Sequence, residues 1–582
     1  MRYAPLMKKR CKILQPNSDT VKQLLKVLKC SPVFASILVN RGMTSPEDIS
    51  DFLNPSLNLL RPPFCIKDID IAVQRIYTAI KENEKVLIFG DYDVDGVTAT
   101  TILYQFLCYV GIDVSYYIPH RLKEGYGLQV AHIRDQALTN RINLIITVDC
   151  GSNSHEAVRA ANRIGIDVII TDHHKISYPA PHALAIINPS QRDCSAGFEH
   201  LAGVGVAFYL LISLRKHLRD RHFWRNRPEP NLKKFVDLVA LGTVADLVPL
   251  TFENRIFSAI GTGVIQSSKR PGIQALAEIN GIELKAITTE DLAFRLSPRL
   301  NAAGRMGHAK KAVELLTTMH PDTAKQKARM LNQMNVNRQH IEKEIIDDIC
   351  KHINNNPHVL QKSALVFASP KWHLGVLGIV ASRLVEKYHR PVVLISTKEK
   401  EGKGSARSIP GFNLYKGLQA CSKDLERFGG HPAAAGLKIK NENIEPFEQH
   451  FEITVQKMTG PDDFLPRITI DYVLDFDQIS DSLIDELESL KPHGPGNPAP
   501  IFLTKNVDVL SSKIVGGNHR QMQLIQTSGR TAKPFRAIHF NAKTDSPLKE
   551  SFEQIVFRLD WNRWNGKKTK QIMIENTEAC AI

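Results

Sequence analysis

Three aspartates, Asp91, Asp93 and Asp95, alternate with Tyr92 and Val94 in the stretch DYDVDG, directly after the apolar run 86–89. Carboxylates this close repel one another, and burying any of them without compensation is costly. The spacing is tolerable if the acids face water or if a cation sits among them. An acidic, solvated turn is the plain reading of the stretch by itself. A calcium-binding EF-hand loop opens the same way, but it needs a bidentate Glu at its twelfth position and helices on both flanks. Counted from Asp91, that position is Ile102, and the upstream flank reads as a strand. What remains is a divalent ion at a strand end, which requires ligands from further along the chain.

Such residues exist. The run 143–148 (NLIITV) is followed by Asp149-Cys150-Gly151-Ser152, and 167–171 (DVIIT) by Asp172-His173-His174. The apolar segment that begins at 235 leads into Leu241-Gly242-Thr243-Val244-Ala245-Asp246. Asp93, Asp95, Asp149, His173 and Asp246 could therefore converge at one edge of one sheet, where open α/β sheets bind their ligands. Carboxylates with one or two imidazoles suit Mn²⁺ or Mg²⁺, and the lack of Cys ligands disfavours structural zinc. Singly, each residue has a duller role: a strand-end Asp is a common helix N-cap, and a lone His usually packs or faces water.

The elements that must position these residues alternate between strand and helix over 66–255, the pattern of a parallel sheet. Strands are expected at 85–89, 113–118, 143–148 and 167–171, with a short one near 183–187, and helices at 97–110 and 156–164. Residues 1–65 read as a helical extension and 256–354 as a helical connector, with one long helix over 323–348. Arg299, Asn301 and Arg305 precede that helix in a Gly- and Ala-rich loop, where two guanidinium groups would make a phosphate clamp. A second α/β domain is expected over 355–462, with strands at 364–368 and 391–395, a helix at 375–385 and a turn at 403–407. Short runs separated by turn signals over 463–582 suggest a small β-barrel. Trp561, Arg563 and Trp564, followed by Lys567, Lys568 and Lys570, suit stacking on single-stranded bases or, equally, a tryptophan pair packing the barrel with lysines in water. The basic stretch 215–234 reads either as a DNA-facing insertion or as a solvated helix and loop.

Composition limits the partners. A net charge of +15 over 582 residues favours a polyanion such as nucleic acid. Nine cysteines without a CxxC pair indicate neither a zinc knuckle nor a disulfide framework, and fit a reducing cytoplasm. No apolar run is long enough to cross a membrane, and the basic N-terminus lacks the apolar core of a signal peptide.

DYDVDG, VDCGS, TDHH and GTVADLVPL, in that order, resemble the four motifs of the DHH phosphoesterase superfamily. The stretches HRLKEGYGL (120–128), SPRLNAAGRMG (297–307), GKGSARS (402–408) and FGGHPAAAG (428–436) extend the resemblance to the RecJ family of single-strand-specific 5′→3′ DNA exonucleases. The resemblance implies a multidomain α/β chain: a DHH parallel-sheet domain, a long connecting helix, a DHHA1 domain and a C-terminal OB-like barrel. It implies Asp93, Asp95, Asp149, His173 and Asp246 as ligands of one or two Mn²⁺ or Mg²⁺ ions. His174 would contact the scissile phosphate or a metal, with Asp91 in support and Arg305 catalytic. Arg121, Tyr126, Arg299, Asn301, Ser405, Arg407 and His431 would bind phosphate or nucleic acid. Many superfamily members place a His four residues before the first ligand Asp, where this chain has Phe89. The implied activity is degradation of single-stranded DNA to mononucleotides in repair and recombination, by a cytoplasmic monomer working with a single-strand-binding protein and a RecQ-type helicase. Two rivals are a silent single-strand-binding scaffold, which tends to lose motif carboxylates that are all present here, and a small-molecule phosphoesterase, which is usually shorter and lacks the barrel.

Overall fold

The structure, a computed structural model, describes residues 9–526, 533–542, 550–564 and 566–578, the side chain of Trp564 excepted. The chain forms two compact units: one comprises Pro55–Lys343 with Gly494–Gly496, the other Met1–Asn54, Glu344–His493 and Asn497–Ile582.

The first unit is built on a parallel sheet of β1 (Lys85–Gly90), β2 (Asp113–Tyr117), β3 (Leu144–Val148), β4 (Asp167–Thr171) and β5 (Ala185–Ile187), in the order β2-β1-β3-β4-β5. Strands with β-branched residues on both faces must be covered on both, and they are. Val86, Ile88 and Ile146 belong to one core with helices α1 (Ile69–Lys81), α2 (Val94–Val110), α4 (Gly203–Asp220) and α5 (Val236–Ala245). Leu87, Phe89 and Ile145 belong to the other, with α3 (His155–Arg163). Register brings the strand ends level: Gly90 pairs with Val148, and Val148 with Thr171. Asp91, Asp149 and Asp172 each continue the ladder by one residue, their N–H groups donating to Val148, Thr171 and Ile187. Order 2-1-3-4-5 reverses direction between β1 and β3, and that switch point is where doubly wound sheets open a crevice.

Two expectations for this unit change. Residues Ser297–Met306 form a helix, α6, not a loop. Alanine favours helix, and the interior Gly304 is needed because a Cβ there would stand 2.7 Å from the Tyr92 carbonyl. The basic 215–234 stretch is largely engaged within its own unit. Arg215 and Arg219 pair with Glu229, Lys216 with Asp220 at 2.6 Å, and Arg227 donates to the Val110 carbonyl at 3.0 Å. Trp224 packs against the core. The solvated helix-and-loop alternative therefore describes it better. The long helix, α7, runs Pro321–Asn355.

In the second unit a five-stranded sheet orders Arg427–Gly430, Ala434–Lys440, Glu401–Arg407, Val392–Ser396 and Leu365–Ser369. The turn expected at 403–407 is a strand, because Ala406 pairs with Val393 and is buried in the core: tertiary pairing overrides the weak β-propensity of its glycines. Farther on, Phe502–Val515 pairs with both His519–Gln526 and Ser551–Trp564, closing a barrel through Phe535–His539 and Lys567–Asn576. The N-terminal helices are no separate extension. Leu24, Phe34 and Ile37 share a core with Leu483, Phe502 and Phe557, and a strand unanticipated from sequence, Arg10–Ile13, pairs with Arg467–Ile470. Among the described residues, seven cysteines are free and Cys11, on that strand, is disulfide-bonded. Among the described residues no helix is long and apolar enough to cross a membrane.

Candidate metal centre

The five expected ligands meet at the β1/β3 switch point. His173 Nε2 lies 3.2 Å from Asp149 Oδ1, 3.7 Å from Asp246 Oδ2 and 4.0 Å from Asp95 Oδ2. Asp91, Asp93 and Asp149 form a second group with ligand atoms within 4.8 Å of one another, as do Asp95, His173 and Asp246. These two triads share no residue, and a third group, Asp149 with His173 and His174, links them. Asp91 therefore stands among the donors and not behind them. Local structure fixes each group differently. Asp93 is the N-cap of α2, accepting from the Gly96 N–H, as the N-cap alternative expects. Asp95, in the first turn of α2, accepts from the N–H groups of Gly203 and Val204 at the N-terminus of α4, at 2.6 and 2.8 Å. Asp149 and His173 follow strands, and Asp246 closes the C-terminus of α5.

The electrostatics are those of a site lacking its counter-charge. Burial, then the Asp93 charge, pushes Asp95 up to about 7; burial, then Asp95, pushes Asp246 up to about 9. Burial and neighbouring carboxylates also hold Asp91 and Asp149 well above the usual range. Burial, then the charge of His174, lowers His173 to about 4, leaving it neutral. Its backbone partner is Leu201, and Nε2 has no hydrogen-bond partner among the described residues, so the other nitrogen carries the proton. Nε2 then turns a lone pair toward Asp149 Oδ1, which is likewise unpartnered, as is Asp91 Oδ1. Facing acceptors at this distance need a proton or a cation between them. Backbone close by leaves space: a Cβ on Gly203 would sit 2.6 Å from Asp149 Oδ1. Four or five carboxylates with one neutral imidazole fit Mn²⁺ or Mg²⁺.

His174 is set up oppositely. Burial would lower it, but the hydrogen bond to Asp172 at 2.8 Å and that carboxylate's charge raise it to about 9. Asp172, which sequence reasoning left out of the site, is the organiser of this corner. Its oxygens accept from the N–H groups of Ser152, His173 and His174. Burial opposes its ionisation, yet His174 and these donors hold it well below the usual carboxylate range. Its place in TDHH was the available signal. Tyr126 has a half-exposed ring, and its hydroxyl lies 3.1 Å from His174 Nδ1 and 3.2 Å from the Asp149 carbonyl.

Comparison with known proteins follows the same lines. The DHH family N-terminal domain matches residues 85–243, the DHHA1 domain 361–457 and the RecJ OB domain 470–576. The single-stranded-DNA-specific exonuclease RecJ of Bacillus subtilis is 35% identical over 98% of this chain and 71% of its own length. The protein of the same description from Salmonella typhimurium is 35% identical over 98% of this chain and 99% of its own. The chain belongs to the RecJ family. Thermus thermophilus RecJ, solved in complex with Mn²⁺, matches with a TM-score of 0.82 at 29% identity, over 98% of this chain and 80% of that one. A RecJ structure bound to manganese matches at 0.59 and 33% identity, over 70% of this chain and 98% of that one.

Beyond the metal cluster, the expected residues of this RecJ-family chain divide. Arg121 lies over the Tyr92 ring at 4.7 Å, and Arg305 is close enough for its charge to act on the Tyr92 phenol. Asn301 accepts from the Val94 N–H at 3.2 Å, so it braces the DYDVDG turn. Arg299 does not join Arg305 in a clamp. Its guanidinium donates to Asn332 at 2.9 Å and to the Arg295 carbonyl at 2.7 Å, because a helix turns about 100° per residue and sends 299 and 301 apart. In the second unit Ser405 and Arg407 share a strand and are 3.3 Å apart at Oγ and Nη1. They approach Gly378 on the helix Leu374–Tyr388, and His431 ends the hairpin strand Arg427–Gly430. Trp561 has Lys568 over its ring at 4.1 Å and donates from Nε1 to Asp485 at 2.8 Å. The barrel-packing alternative accounts for it. The side chain of Trp564 lies outside the described residues. Phe89, at the position where relatives can carry His, is fully buried against Tyr117 and His132.

Proposed function

We propose that this chain is a metal-dependent exonuclease that degrades single-stranded DNA from the 5′ end to mononucleotides. The observation carrying the reading is a buried set of carboxylates and one neutral imidazole with unpartnered atoms facing one another. Asp93, Asp95, Asp149, His173 and Asp246, with Asp91, would hold one or two Mn²⁺ or Mg²⁺ ions, which supply Lewis-acid polarisation of the phosphate and a lowered pKa for water. The remaining chemistry belongs to the chain. His174, kept protonated by Asp172, donates to an oxygen of the scissile phosphate as negative charge grows there. Asp172 fixes the imidazole's orientation, and Tyr126 walls the site beside it. Arg121 and Arg305, around Tyr92, attract the phosphate backbone as it enters. Asn301 keeps the DYDVDG turn in place through Val94, and positioning of this kind is most of what a phosphoryl-transfer site contributes. Ser405, Arg407 and His431 bind backbone phosphates in the second unit. Single-strand-binding protein and a RecQ-type helicase are the partners of this reading, with a monomer acting in the cytoplasm.

The test uses end-labelled single strands, duplexes and dinucleotides, with and without Mn²⁺. Mn²⁺-dependent release of nucleotides from 5′-phosphorylated single strands is expected, with little from duplex and none from Asp149→Ala. Digestion that persisted in Asp149→Ala would overturn the ligand assignment.

A further inference from the structure

Among the metal-facing residues, Asp246 is the one that its own element secures least. Asp93 and Asp95 begin a helix, and Asp149 and His173 follow paired strands. Asp246 instead ends α5 and is followed by residues 247–251, which are in neither helix nor strand. Two residues around this segment are strained: Leu247 has φ 59° and Phe252 φ 44°. Both turn apolar side chains to water, 63% and 75% exposed. Side chains other than glycine hold such backbone only where surrounding contacts dictate the path.

Those contacts come from the tripeptide Gly494-Pro495-Gly496, which belongs to this unit although its chain neighbours do not. The Leu250 N–H donates to the Pro495 carbonyl at 2.7 Å, and Asn254 secures the Pro249 carbonyl at 3.0 Å. The approach is close at both glycines. A Cβ on Gly494 would stand 2.7 Å from Leu250 Cδ1. At Gly496, with φ 74°, it would stand 3.0 Å from Pro249 Cβ and 3.2 Å from Thr251 Cγ2.

We propose that Gly494-Pro495-Gly496 is a positioning element for the metal centre: it pins residues 249–251, and through them holds the Asp246 carboxylate beside His173. The inference rests on Asp246 being a metal ligand, as proposed above. It makes the tripeptide a determinant of metal affinity and not of the chemical step.

Calorimetric titration of the metal-stripped full-length protein with Mn²⁺ tests it, alongside melting temperature and kcat at saturating Mn²⁺. Gly496→Val and the milder Gly496→Ala should weaken Mn²⁺ binding, the former by roughly tenfold, as loss of support behind a ligand does. Saturating Mn²⁺ should restore kcat. Gly165→Ala is the control: its φ is also 74°, but a Cβ there meets nothing within 4 Å, so it incurs the backbone strain without touching the segment. Wild-type affinity in Gly165→Ala is expected. The proposal is overturned if Gly496→Ala and Gly496→Val bind Mn²⁺ as wild type does, or if Gly165→Ala weakens binding equally. Should Gly496→Val not fold, Gly496→Ala decides. Asp246→Asn separates the two layers: if it binds Mn²⁺ like wild type, the ligand assignment fails first.

Discussion

The carboxyl edge of the parallel sheet and the barrel hairpin around Trp561 are both dense in charge, and they use it in opposite ways. At the sheet edge, like charges are gathered and buried with Asp91, Asp149 and His173 atoms left unpartnered. On the barrel, three cations near Trp561 meet carboxylates. Arg563 holds Glu488 by two bonds of 2.6 Å, Lys568 meets Asp485 at 2.7 Å and Lys570 meets Asp481 at 2.8 Å. A groove of about 520 Å³ beside Trp561 is lined by Asp481 and Asp485 as well as by Lys533, Arg536, Lys568 and Lys570, so its charge is mixed. Charge density in a sequence therefore does not mark a functional surface. Burial without a partner does, because such an arrangement is unstable until something else arrives.

The comparison breaks most decisively at Asp149, which groups with His173 and His174 on one side and with Asp91 and Asp93 on the other. Asp149→Ala should lower nucleotide release by roughly a thousandfold or more while single-strand binding stays near wild type. His174→Gln should cost on the order of a hundredfold in kcat, with Mn²⁺ affinity changed far less. A parallel loss of metal affinity would instead make His174 a ligand.

Stability should report the missing counter-charge. Without metal, Asp95 and Asp246 have folded-state values raised to about 7 and about 9, above their ordinary ones. A raised group contributes stability that is present below its unfolded value and lost as pH rises through its folded value. His174, raised to about 9, acts in the same direction. The metal-free melting temperature should fall as pH rises from about 4, the ordinary carboxylate value, to about 9, and the increment from saturating Mn²⁺ should widen across that window. An increment that stayed flat would contradict the electrostatic account.

Smaller effects sharpen the picture. Asn301→Ala removes one hydrogen bond to the DYDVDG turn, about 1 kcal/mol, and should reduce kcat about fivefold. Lys568→Ala should change single-strand affinity by less than about twofold, since its charge is already paired. Trp561→Ala should lower the melting temperature more than it lowers affinity. A loss of affinity above tenfold would show that the barrel face stacks bases after all.

Much of this was legible because chemistry follows strand ends directly. β-branched runs ending in Asp or Asp-His-His reveal both the strand and the donor, and parallel register then levels the donors without further information. Residues whose role depends on rotation about a helix were not legible. Arg299, Asn301 and Arg305 read as one clamp in a loop, and only the helix separates Arg299 from the others. The role of Gly304 was hidden because the close approach of the Tyr92 carbonyl is a tertiary fact. Asp172 was overshadowed by the histidines it organises. The strand Arg10–Ile13 has no local signal, since its partner lies at the other end of the chain.

The most direct test is an anomalous difference map from crystals of the full-length protein soaked in Mn²⁺. The account predicts one or two peaks among the carboxylates of Asp93, Asp149 and Asp246 and the Nε2 of His173, absent after chelation. A map with no peak there, or with Mn²⁺ held only at other side chains, would contradict it.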